Sequence, residues 1–114
     1  MDVVQEMIDA YNAHDLERCL SSYGPDVKME NGEGHVLEGQ AGLRAFYGPL
    51  VAQSPNLHVE VLKRIHVGEW DVVEMQLKGM NMEGIPPEEH AIQIFRVVDN
   101  KIVYSRFFEE AHDA

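Results

Sequence analysis

The period of the hydrophobic pattern changes along this chain, and that change limits the fold more than any other feature. Up to Gln53 apolar residues recur mainly every three or four positions, and from Leu57 onward they recur every second position. The first spacing is that of a helix burying one stripe, the second that of a strand burying one face. Helices followed by a run of hairpin-linked strands make an α+β fold, here a curved antiparallel sheet packed on N-terminal helices.

In the helical half, Val3, Val4, Met7, Ile8 and Tyr11 form one stripe over residues 2–13. Asp15 is placed to cap a second, short helix carrying Leu16, Cys19, Leu20 and Tyr23 inward, which Gly24-Pro25 stops. Val27, Met29 and Asn31 alternate with Lys28 and Glu30 in a short strand that enters a turn at Gly32–Gly34, with His35–Leu37 returning beside it. Gly39 opens a third helix whose buried stripe is Leu43, Phe46, Tyr47 and Leu50, and Ser54-Pro55-Asn56 closes it.

In the second half, Leu57–Val67 reads as a long strand ending at Gly68, with Val59, Val61, Ile65 and Val67 sharing a face. Trp70–Met82 reads as the next, with Val73, Met75 and Leu77 on one face. Met80 and Met82 fall out of step with that face, so a β-bulge is expected at Gly79. Gly84-Ile85-Pro86-Pro87-Glu88 reads as a turn, His90–Val98 as a strand, Asp99-Asn100 as a two-residue hairpin and Lys101–Glu109 as the last strand. In His90–Val98 both faces are apolar, with Ala91, Phe95 and Val97 on one and Ile92, Ile94 and Val98 on the other. If one lines a pocket, the other needs a cover, and a homodimer through the outer sheet face supplies it.

At 114 residues the chain has room for one core, so residues 1–114 are read as one domain. It has no run near the roughly 20 apolar residues that span a bilayer, and its start carries carboxylates where a signal peptide has Lys or Arg. With a lone cysteine, Cys19, this points to a cytoplasmic protein. Twenty acidic residues against 9 basic give a net charge of −11, which repels phosphate backbones and anionic membranes. Neither nucleic acid nor a membrane is an expected partner. The six histidines show no metal-binding spacing beyond the weak pair Glu109-x-x-His112, and no phosphate loop or nucleophile elbow is present. No metal and no cofactor are expected.

Four stretches carry a family resemblance: Asn12-Ala13-His14-Asp15-Leu16, Phe46-Tyr47, Gly84-Ile85-Pro86-Pro87, and Ile94-Phe95-Arg96-Val97 with Asn100-Lys101-Ile102-Val103. With the element order, they make the chain resemble the SnoaL-like and ketosteroid isomerase-like branch of the nuclear transport factor 2-like superfamily. The resemblance implies a cone-shaped half-barrel, usually dimeric, with an apolar pocket open at one end. Ketosteroid isomerases use a proton-shuttling Asp, an oxyanion Tyr and an oxyanion Asp, and these positions fall on Asn31, Met7 and Gln93. An amide cannot accept a proton near neutral pH, so the usual isomerase triad is absent. SnoaL-like cyclases are similar in placing an acid on the strand that carries Gln93. The resemblance puts Tyr23 and Tyr47 where some isomerases have supporting tyrosines, and Met80, Met82, Phe95 and Phe107 on pocket-facing strand positions.

The candidates divide accordingly. Asn31 and Gln93 either hydrogen-bond a ligand or satisfy neighbouring tyrosines and water. Glu30 and His35, near the mouth, and Glu109, on the face of Val103, Ser105 and Phe107, are the candidate acids and bases. Met7, Tyr11, Tyr23, Tyr47, Met80, Met82, Phe95 and Phe107 are the candidate ligand contacts, a surface suited to a small apolar molecule. The expected function is therefore binding of such a molecule, with isomerisation, cyclisation or hydrolysis as the chemistry if it is an enzyme. The alternative is a non-catalytic ligand-binding or dimerisation module.

Overall fold

The structure, a computed structural model, describes residues 2–31 and 35–109, the last of these by its backbone alone. The expected turn at Gly32–Gly34 and the residue His112 lie outside the described residues. The elements run α1 (Val3–Asn12), α2 (Leu16–Ser21), β1 (Tyr23–Glu30), β2 (Val36–Glu38), α3 (Gly39–Gln53), β3 (His58–Val67), β4 (Trp70–Lys78), β5 (Glu88–Val98) and β6 (Lys101–Glu109). The strands form one curved, unclosed sheet in the order β2-β1-β6-β5-β4-β3, with the helices packed on it. No helix among the described residues is long and apolar enough to cross a membrane.

Both N-terminal helices start on an aspartate. Asp2 accepts from the Gln5 N–H at 3.2 Å and Asp15 from the Arg18 N–H at 3.1 Å, each satisfying a donor that a helix start leaves open. The stripe Val3, Val4, Met7, Ile8 and Tyr11 is buried as its spacing predicts. Tyr23, expected on α2, instead opens β1, and Gly24-Pro25 lies inside the strand rather than ending the helix. The pairing of β1 with β6 jumps from Tyr23 to Lys28, so Pro25 sits where the ladder asks for no N–H.

The sheet is mixed where the sequence pointed to an antiparallel one, because β1 runs parallel to β6. Alternation says which face a residue takes and nothing about which distant strand lies beside it. The β3-β4-β5-β6 meander is antiparallel throughout. Asp99 and Asn100 take φ values of 50° and 60°, the two left-handed residues of a tight hairpin.

Two irregularities differ from expectation. β4 pairs with β5 without a break from Trp70↔Arg96 to Lys78↔Glu88, so there is no bulge at Gly79. Gly79, at φ +74°, ends the strand, and a Cβ there would lie 2.0 Å from the Asn56 carbonyl oxygen. Only glycine lets the two backbones approach that closely. The bulge falls in β3, between Val61 and Lys63. It reverses the faces beyond it: Arg64 and His66 pair with the inward Val73 and Asp71, while Ile65 and Val67 join the outer face with Val72 and Trp70.

Inward placement of Arg64 ties the N-terminus to the sheet. Its guanidinium donates to both Asp2 oxygens at 2.7 and 2.9 Å and to Asp71 Oδ1 at 2.9 Å, and His66 Nδ1 lies 3.2 Å from that oxygen. Asp71 is buried, so the guanidinium offsets a charge that would be costly there alone. Asn12 secures the other end of α1. Its side chain accepts from Val59 N–H at 2.7 Å and donates to Val59 C=O at 3.0 Å, and His14 Nε2 reaches the Leu57 carbonyl at 2.7 Å.

Gly79→Ala is expected to cost more than about 2 kcal/mol, since left-handed strain adds to a backbone collision. Gly68→Ala, at φ +59° with nothing within 4 Å, should cost only the left-handed strain of about 1 kcal/mol. Urea midpoints of the two variants check the contrast. Arg64→Met should lose about 2–3 kcal/mol, below the full cost of stranding a buried charge because His66 remains beside Asp71. The Arg64 hydrogen bond holds the Asp2 carboxyl below its ordinary value of 3.8. Asp2 therefore adds stability above that value and loses it as pH falls. Thermal melts from pH 6 to pH 2 should show an acid-side loss in the wild type that Asp2→Asn reduces.

Candidate functional site

Helices α1 and α3 stand off the inner face of the sheet and leave a cavity of about 380 Å³. Met7, Ile8 and Tyr11 of α1 and Phe46, Tyr47 and Leu50 of α3 form its helical wall. Val59, Met75, Leu77, Gln93 and Phe107 form the wall from β3, β4, β5 and β6. The 79–87 loop adds Met80, Ile85 and Pro86. That loop is pinned to the end of α3: Asn81 N–H donates to the Ser54 hydroxyl at 2.9 Å, and the Asn81 amide donates to the Gln53 carbonyl at 3.0 Å.

The three positions on which the isomerase triad falls, Met7, Asn31 and Gln93, all border this one cavity. Gln93, on the inner face of β5, donates from Nε2 to the Ser105 hydroxyl at 2.7 Å, both residues buried. Asn31 follows β1 and pairs with His35: its Oδ1 accepts from His35 N–H at 2.9 Å and its own N–H donates to the His35 carbonyl at 3.0 Å. His35 lies at the rim, exposed.

Glu30 borders the cavity with its carboxylate engaged elsewhere. The parallel register sets Glu30 beside Arg106, and the carboxylate accepts from the Tyr104 hydroxyl at 2.9 Å with Arg106 at 3.9 Å. Glu30 thus borders the cavity with its carboxylate held by Tyr104 and Arg106. Glu109 pairs with Ala91, and its side chain lies outside the described residues.

Among the expected ligand contacts, Met7, Tyr11, Tyr47, Met80 and Phe107 line the cavity. Tyr23, Met82 and Phe95 do not. Tyr23 starts a strand and is buried behind the helices, Phe95 lies wholly in the core, and Met82 packs on the core from beyond the end of β4. The Tyr47 hydroxyl donates to the Met29 sulfur at 3.6 Å, and the Tyr47 ring meets Tyr11 edge-on at 6.1 Å and Phe46 at 5.2 Å. Burial pushes the hydroxyls of Tyr11, Tyr23 and Tyr47 well above their ordinary range, so they remain protonated donors. Burial also pushes the Cys19 thiol up to about 12, which removes it as a nucleophile at neutral pH.

The residue missed from the sequence is Glu89. It lines the cavity and is 3% exposed, a buried carboxylate in a mostly apolar wall. The expected turn ends at Glu88 and the expected strand starts at His90, yet β5 begins at Glu88, two residues before the expected start. Extending the alternation back from Ala91 places Glu89 inward. A carboxylate, a carboxamide and tyrosine hydroxyls in one apolar cavity can hold a polar group of a ligand, pair with a cation or move a proton. No group of three or more His, Cys, Asp or Glu able to hold a metal ion occurs among the described residues.

The sequence profile of the SnoaL-like domain matches residues 4–105. No curated protein sequence matches the chain. Solved structures do. An uncharacterised cystatin-fold protein from Novosphingobium aromaticivorans is 25% identical, superposes with a TM-score of 0.81, and the match covers 92% of this chain and 93% of that one. A proposed SnoaL-like polyketide cyclase from Jannaschia sp. CCS1 is 20% identical at a TM-score of 0.79, over 95% of this chain and 83% of that one. A SnoaL-like protein of unknown function from Burkholderia thailandensis is 22% identical at a TM-score of 0.79, over 95% and 92%. The helix-backed sheet, its order and the profile match over nearly the whole length agree: this chain belongs to the SnoaL-like domain family.

Proposed function

We propose that the chain binds a small, largely apolar molecule in this cavity and works as a homodimer in the cytoplasm. The observation that carries the reading is the lining: methionine, aromatic and aliphatic side chains with few polar groups, around a volume of about 380 Å³. Such a surface gains by removing flat apolar area from water, and its few polar atoms orient what enters. Membership of the SnoaL-like family agrees with ligand binding or cyclase chemistry. Isomerisation, cyclisation or hydrolysis by proton transfer are the reactions open to a site with a buried carboxylate and no metal cluster among the described residues.

The outer face of the sheet favours the dimer, and with it the second reading of a module built for assembly. The register brings Ile65, Val67, Trp70, Ile92 and Phe108 onto this one face, and Ile92 is 42% and Val67 68% exposed. A contiguous apolar face of this kind is characteristic of an interface. Arg106 over the Phe108 ring, at 5.0 Å, and the Trp70–Tyr104 ring contact add the aromatic and arginine anchors common in interfaces.

Titration with 2-naphthalenemethanol, a flat neutral probe, followed by its fluorescence should show saturable binding on the order of 10 μM. Ile85→Trp, which fills the rim from a half-buried loop position, should abolish that binding while leaving the melting temperature within a few degrees. Binding unaffected by Ile85→Trp would place the probe elsewhere and count against the cavity. Sedimentation equilibrium should give a dimer that Ile92→Lys converts to monomer, and a monomeric wild type at micromolar concentration would overturn the assembly.

A further inference from the structure

We infer that Gln93, oriented by Ser105, sets the selectivity of this cavity: it offers its carboxamide oxygen to the ligand, so the site takes a neutral apolar molecule whose hydroxyl donates to that oxygen. This inference rests on the ligand-binding reading above and names the chemical class of the ligand.

The orientation of the amide is set from the core. Ser105 is 0% exposed and stands between Met29 of β1 and Phe95 of β5 in the sheet. It lies behind the cavity lining, and its hydroxyl meets one side chain among the described residues, accepting from Gln93 Nε2 at 2.7 Å. A hydroxyl enclosed in a core requires a partner, and the Gln93 amide supplies it. Ser105 therefore acts as a positioning residue.

With Nε2 turned to Ser105, the carbonyl end of the amide is left for the cavity. Oε1 accepts from no group among the described residues, yet it is not sealed in the core. Gln93 borders the cavity, so that oxygen opens on it. An acceptor facing apolar space is costly unless a donor reaches it. A ligand hydroxyl is such a donor; a ketone or an ether is not.

The surroundings of Gln93 define the rest of the ligand. Phe107 lies opposite it on β6, and Met75 and Leu77 follow its β4 partner Val73 along the inner face. All three line the cavity, an apolar bed for rings beside one polar group. The hydrogen of the Tyr47 hydroxyl goes to the Met29 sulfur. No lysine or arginine lines the cavity among the described residues, so an ionised acid or phenol finds no such counter-charge there and the neutral hydroxyl is favoured.

The test compares three naphthalenes on the full chain by calorimetry: 2-naphthalenemethanol, its methyl ether and 2-acetonaphthone, the last two acceptors only. The alcohol should bind about fivefold more tightly than either, the effect of one neutral hydrogen bond. Gln93→Met, close in length and without the amide, should bring the three affinities together. Ser105→Ala, which changes no lining residue, should narrow the difference by freeing the amide to turn Nε2 toward the ether and the ketone. A general loosening of the fold would instead weaken all three and keep their ratio. Ether or ketone binding as tight as that of the alcohol on the wild type would overturn the inference and leave the apolar-ligand reading standing, whether or not either variant folds. An alcohol preference that survives Gln93→Met would overturn it by assigning the hydroxyl to another group, and one undiminished in Ser105→Ala would overturn the positioning by Ser105. Binding of none of the probes would overturn both readings.

Discussion

The Asn12 carboxamide exchanges two hydrogen bonds with the backbone of Val59, at 2.7 and 3.0 Å, and so stands in for a strand along one residue of the sheet's edge. An edge strand offers donors and acceptors that must be paired or hidden. Here the end of α1 does both, and the placement of α1 follows from it. Arg64 secures the other end through Asp2 and Asp71. Held at two points, the helix carries Met7, Ile8 and Tyr11 over the inner face, where they form part of the cavity's wall instead of collapsing onto it.

Glycine and serine at the opposite end complete the enclosure. Gly79 lets the chain pass against the Asn56 carbonyl, and the buried Ser54 hydroxyl takes the Asn81 N–H, so the loop after β4 is fastened to the end of α3. Met80, Ile85 and Pro86 reach the cavity through that attachment. The cavity lining is thus supplied by elements whose positions are fixed by backbone contacts outside it.

Much of this was legible in the chain. The stripe of α1, the capping aspartate Asp15, the hairpin at Asp99-Asn100 and the β5 alternation each follow from local rules that depend on a few neighbouring residues. The errors share a cause. Pro25 looked like a helix stop, but the β1 ladder leaves a gap for it. Met80 and Met82 looked like the continuation of a strand, whereas the Asn56 carbonyl ends that strand at Gly79. Glu89 fell between the expected turn and the expected strand, although two more residues of alternation turn it inward.

The sequence by itself determined the helical and strand halves and the apolar stripe of most elements, because periodicity and turn chemistry are written in adjacent residues, and its motifs carried the resemblance to the SnoaL-like family. Only the tertiary structure decided how the two acids at the cavity are held. Alternation sets Glu30 opposite Met29 and Asn31 and leaves Glu89 between an expected turn and an expected strand; the parallel β1–β6 register engages Glu30 with Tyr104 and Arg106, while β5 buries Glu89 in the cavity wall. That choice depends on pairing between strands more than seventy residues apart in places, as in Glu30 with Tyr104, and no local pattern encodes it.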